Sequence, residues 1–177
     1  KNTPSYSGRY LDSVFDIILN FLIFMAICYV SESTIWFSIL AFIGIQLQGT
    51  LYNYYYVILR NKLVGGDTTS KVFEYKTPKA LPGESQKSVN ILFKIYTIVY
   101  GVFDRIIHFL DKDAYKVKSF PNWFMTLVSV YGLGFQLLII AVMLPLGYLQ
   151  FIVPFFILFT LPIIVLIAIR KYVLGNN

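Results

Sequence analysis

Charge is scarce in this sequence, and that scarcity excludes most soluble folds. Of its 177 residues only 14% are charged while 57% are hydrophobic, whereas roughly a quarter are charged in a soluble domain. Apolar surface in such excess needs lipid around it. A single cysteine, Cys28, excludes an intrachain disulfide, and a single histidine, His108, leaves no Cys/His cluster with metal spacing. Cys28 lies in an apolar run and reads as a small packing residue. His108 sits among charges on a helix face and reads as structural or solvated. The start of the chain also lacks the apolar stretch of a signal peptide, since Lys1–Arg9 is polar and contains Pro4 and Gly8. With Lys1 in first place, the expectation is that an N-terminal part lies upstream.

What the sequence has is four apolar segments, Ser13–Val30, Ile35–Leu59, Trp123–Leu144 and Leu149–Ile169. Each is close to the 17–25 residues that cross a bilayer core. All 15 lysines and arginines lie before the first segment, between the second and third, or after the fourth. The connections Ser31–Thr34 and Pro145–Tyr148 carry none, and the first holds Glu32. The positive-inside rule then predicts a chain that enters from the cytoplasm, makes two outward hairpins and ends in the cytoplasm. The net charge of +6 reflects topology and contact with anionic lipid, and nucleic acid is not an expected partner.

The connection over residues 61–120 is too long for a plain loop. Its first half is rich in Gly, Pro, Ser, Thr and Lys and reads as irregular. From Val89 to Asp111 the period becomes helical. Leu92, Ile95, Val99, Val102, Ile106 and Phe109 fall on one face; Lys94, Thr97, Gly101, Asp104, His108 and Asp111 fall on the other. This predicts an amphipathic helix in the cytoplasmic interface, with a fifth spanning helix lining a polar cavity as the alternative.

Chemistry concentrates in the stretch Gly8–Asp16. An aspartate near a helix start can cap it or favour its dipole, which accounts for Asp12. Asp16 is harder to dismiss, because a carboxylate a turn inside an apolar helix is costly and marks an ion or substrate site. Residues four apart share a helix face, with Cβ atoms about 5–6 Å from each other. Two carboxylates so placed repel unless a cation neutralises them. Mg²⁺ or Mn²⁺ does so through oxygen ligands, and such ions can clamp a diphosphate. Gly8 continues the face one turn earlier and leaves room for a phosphate. Arg60 ends the second segment after Tyr54, Tyr55 and Tyr56, where an aromatic belt and a snorkelling arginine explain the pattern without function. Gln46, Gln48 and Asn53 either line a polar cavity or hydrogen-bond neighbouring helices.

Gly8, Asp12 and Asp16 match G-x-x-x-D-x-x-x-D, the second half of the signature D-x-x-D-G-x-x-A-R-x8-G-x-x-x-D-x-x-x-D. The chain thereby resembles the CDP-alcohol phosphatidyltransferases. That resemblance implies an all-α polytopic membrane fold, with residues 1–177 forming the last four helices of a six-helix bundle. The first half of the signature would lie upstream of Lys1. It also implies transfer of a phosphatidyl or related phospho-alcohol group from a CDP-alcohol, such as CDP-diacylglycerol, to an acceptor alcohol with release of CMP. In that scheme Asp12 and Asp16 ligate Mg²⁺ or Mn²⁺, Asp16 deprotonates the acceptor, and Gly8 and Arg60 contact substrate. The family tends to form homodimers, and the middle connection here is longer than in typical members. Two other classes fit the residues alone: a cation- or proton-coupled transporter fragment using Asp12 and Asp16, and a non-catalytic membrane subunit.

Overall fold

Ser5 opens the first helix. In a computed structural model, which describes residues 4–64, 69, 71, 74 and 76–174, the Ser5 hydroxyl accepts the Gly8 N–H at 2.9 Å and donates to Glu84 at 2.8 Å. Glu84 also accepts the Ser7 N–H at 2.7 Å, so a distant carboxylate completes the cap of α1 (Tyr6–Val30). Burial works against ionisation of Glu84, but hydrogen bonds from Ser7, Ser5 and Leu81 pull its carboxyl down to about 2. A short turn at 31–34 leads into α2 (Ile35–Val64). Among the described residues every regular element is a helix, without a strand.

Three helices are long and apolar enough to cross a membrane: Tyr6–Val30, Ile35–Leu63 and Leu149–Tyr172. They fit an integral membrane protein. The third is built from α7 (Leu149–Leu158) and α8 (Pro162–Tyr172). Pro162 has no N–H to offer the carbonyl a turn earlier, and the chain tightens there, with the Leu161 N–H bonded to the Leu158 carbonyl at 3.0 Å. Gln48 donates to the Phe156 carbonyl and to the Thr160 hydroxyl at this break. The Thr160 N–H bonds the Ile157 carbonyl at this tightened turn, and the neighbouring helix supplies a donor to the Phe156 carbonyl in its place. Gly44 makes the approach possible, since a Cβ there would collide with the Thr160 hydroxyl.

The segment expected to span over Trp123–Leu144 is bent. α5 (Asn122–Ser129) and α6 (Leu133–Met143) meet at 47°. The turn between them closes with the Gly132 N–H on the Ser129 carbonyl at 2.9 Å.

The expected single amphipathic helix is two, α3 (Gln86–Val99) and α4 (Gly101–Leu110), joined at Tyr100. α3 packs on the first half of α1, burying Val89, Phe93 and Tyr96 against Tyr10 and Val14. α4 packs on α2. Their apolar stripe faces away from the protein: Ile98 is 74% exposed and Phe109 70% exposed, with Val102 and Ile106 also exposed. In α4 the polar residues Asp104 and His108, and Asp111 at its end, turn toward the protein, whereas α3 packs Val89, Phe93 and Tyr96 inward and leaves Lys87, Asn90 and Lys94 exposed.

Past α4 the chain turns through a single 3₁₀ turn at Ala114–Lys116. Asp111, Tyr54, Tyr55 and Arg170 meet just before it. Tyr55 donates to the Asp111 carboxylate at 2.8 Å, Arg170 donates from Nε at 2.6 Å, and Tyr54 donates to the Asp111 carbonyl at 3.0 Å. Tyr54 also lies 3.3 Å from His108 Nδ1. Tyr54 and Tyr55 are therefore core residues, not members of an aromatic belt; only Tyr56 of the triplet is exposed.

Candidate functional site

The first helix carries Asp12, Asp16 and Asn20 at successive turns, and that stripe forms one wall of a cavity of about 340 Å³. α2 forms the facing wall with Gln46, Asn53 and Arg60. Tyr96, Tyr100 and Asp104 close it from α3 and α4, and Leu133 and Gln136 from α6. Because Ser5 is the cap, Asp12 lies in the second turn of α1 and has no capping role. Asp12 is exposed and Asp16 half-buried.

The cavity thus brings together Asp12, Asp16 and Arg60, three of the four residues singled out by sequence. Gly8 stands a turn above Asp12, outside the lining, with its amide bonded to Ser5. The two glutamines divide between the two roles open to them. Gln48 bonds across helices, and Gln46 faces the cavity.

Several lining residues escaped the sequence reading. Arg9 places its guanidinium 4.5 Å from the centre of the Tyr10 ring and pairs with Glu74. Glu74 also accepts from the Tyr10 hydroxyl at 2.7 Å, so one residue of the long connection is fastened to the top of α1. Lys71, near it in sequence, lines the cavity with Arg9 and Arg60. Asp104 faces the space from α4 and accepts the Tyr96 hydroxyl at 2.9 Å. Burial raises its carboxyl to about 6, opposed by the Tyr96 hydrogen bond, aided by the Glu74 charge and opposed again by Arg9. Its signal in the sequence was its place on the polar face of an otherwise apolar helix.

Among the described residues no three His, Cys, Asp or Glu side chains come together as a metal-holding group. Among the described residues the cavity lining offers carboxylate, amide and hydroxyl oxygens as hard donors, and no Cys or His. Two carboxylates one turn apart suit Mg²⁺, which is commonly held by one or two carboxylates with substrate phosphate oxygens and water completing the octahedron. The donor set therefore fits a hard divalent cation shared with a phosphate-bearing ligand. The three cations in the lining, Arg9, Arg60 and Lys71, suit the same ligand.

No protein-family model, no curated protein and no solved structure matches the chain.

Proposed function

We propose that the chain is part of a membrane-embedded transferase of the CDP-alcohol phosphatidyltransferase type, acting in phospholipid biosynthesis. The observation that carries this reading is the cavity itself. It holds Asp12 and Asp16 one turn apart, with Arg60, Arg9 and Lys71 in the same lining and apolar helices around it. The donor is a CDP-alcohol and the acceptor another alcohol. Asp12 and Asp16 would hold Mg²⁺ or Mn²⁺ together with the donor's phosphate oxygens. When bound, the cation neutralises the diphosphate. Asp16 takes the acceptor hydroxyl proton as that oxygen bonds to the phosphorus of the transferred group and the bond to CMP breaks. Arg60 and Lys71 balance phosphate charge. Catalysis here is mostly positioning and charge neutralisation.

In this reading the bent pair α5–α6 serves as a broken fourth span, which makes these the last four helices of a six-helix bundle. The α3–α4 pair lies in the cytoplasmic interface, and the cavity opens to the cytoplasm, where a lipid-linked donor and a water-soluble acceptor can meet. The family habit of pairing suggests a homodimer.

The test is CMP release from CDP-diacylglycerol by the natural full-length protein, reconstituted with Mn²⁺ and offered a panel of alcohols. Release that depends on one alcohol and on Asp16 supports the reading. Metal-dependent binding of the donor without CMP release from any alcohol overturns it.

A further inference from the structure

Below Asp16 the cavity changes character. One turn deeper on α1, about 6 Å along the axis, stands Asn20, which is 6% exposed. Across from it are Gln46 at 5% and Gln136 at 1%. Apolar Ile17, Ile45 and Leu133 complete the lining at this level. No charged side chain belongs to this group. Gln136 is spoken for: its Nε2 donates to the Ile45 carbonyl at 3.2 Å and to Gln48 Oε1 at 3.1 Å. Gln46 is not. Its backbone carbonyl accepts from Thr50 at 2.7 Å, but its side-chain Nε2 is buried and has no partner among the described residues.

A buried amide donor left unpaired costs about 1–3 kcal/mol, and this one belongs to a residue that lines the cavity. A charged ligand group at this depth would find no counter-charge and would be strongly disfavoured. An uncharged oxygen would complete the amide. The mixture of amides and aliphatic side chains also matches what a glycerolipid presents a few bonds below its phosphate, a carbonyl followed at once by hydrocarbon. A free polyol offers no hydrocarbon to Ile17, Ile45 and Leu133.

We propose that Gln46, with Asn20 and Gln136 beside it, forms a neutral floor that accepts an acyl ester carbonyl of the lipid-linked donor. The donor is then a diacyl lipid, held by its phosphates near Asp12 and Asp16 and by this ester below them. The assignment rests on the transferase reading and deepens it.

The experiment measures equilibrium binding to the natural full-length protein in nanodiscs with Mn²⁺. The probes are CDP-dioleoylglycerol and its dialkyl-ether analogue, which lacks both carbonyls. Wild type is expected to bind the ester about 3–10-fold more tightly, the size of one neutral hydrogen bond. Gln46→Met, similar in shape but without the donor, should bind the ester as weakly as the ether. Equal affinity of wild type for ester and ether overturns the floor while leaving the transferase reading intact, and needs no variant to fold. A Gln46→Met protein that keeps the ester preference also overturns it. Failure of wild type to bind either donor overturns the transferase reading and the floor with it.

Discussion

Arg170, in the last turn of α8, forms a buried ion pair with Asp111 at the end of α4. Asp111 is 0% exposed and Arg170 3%. The pair joins the final helix to the connection that roofs the cavity, and Tyr55 of α2 completes it. Removing one partner leaves a buried charge uncompensated, which costs about 3–5 kcal/mol. Arg170→Met should therefore lower the thermal unfolding midpoint in detergent markedly. The double variant Arg170→Met with Asp111→Asn should recover much of the loss. Midpoints that fall additively in the double variant would mean that the two residues act independently.

The two aspartates of α1 should separate by role in the natural full-length protein. Asp16→Asn keeps size and an oxygen ligand but removes the base, so turnover should fall by roughly 10²–10⁴-fold with donor affinity little changed. Asp12→Asn should weaken metal binding and regain activity with added Mn²⁺. CMP release titrated against Mn²⁺ distinguishes them, and full rescue of both variants would reduce Asp16 to a ligand.

Asp104 should leave a signature in the pH dependence of stability. Burial raises its carboxyl to about 6 in the folded protein, above the unfolded value of about 3.9. The folded state then binds the proton more tightly, so the group favours folding below the unfolded value. That contribution is lost as pH rises toward 6. Asp104→Asn, which still accepts from Tyr96, should flatten this fall and raise the unfolding midpoint above pH 6. A variant with the wild-type pH profile would show that the carboxylate is already ionised at low pH.

Sidedness follows from the distribution of basic residues. Cysteines placed at Lys79 and Lys116 in a Cys28→Ser background should react with an impermeant maleimide from the cytoplasmic face, and one at Glu32 from the opposite face. Labelling of position 116 from outside would make α3–α4 a span and reverse the layout.

The apolar runs were plain in the sequence because length and the absence of charge suffice to find them. Tyr6–Val30 and Ile35–Leu63 begin or end within a turn or two of the runs that announced them. The face bearing Asp12 and Asp16 was equally legible, since helical spacing alone places them together. Less was visible where two surfaces share one composition. In α1, Phe24 packs inside while Leu22 faces outward, and hydropathy does not tell a lipid-facing leucine from a packed phenylalanine. Tyr54 and Tyr55 looked like belt residues for the same reason. Asp104 joins the site from nearly ninety residues away, and Glu84 caps Ser5 across a similar distance; no local period encodes such meetings. The bend at 130–132 was hidden because Gly132 and Gly134 are common in membrane helices and break them only when packing demands it.

The two-sided packing of α4, apolar outside and polar inside, limits the tolerated length of this segment. A single inserted or deleted residue turns everything beyond it by about 100°. Within α4 such a change swings Ile106 and Phe109 off the outer surface and in the same stroke carries His108 and Asp111 away from Tyr54, Tyr55 and Arg170. The outer and inner faces cannot be retuned separately by changing length. Viable variants of this segment should differ by substitution at constant spacing, while changes in length accumulate at residues 76–83, which belong to no helix.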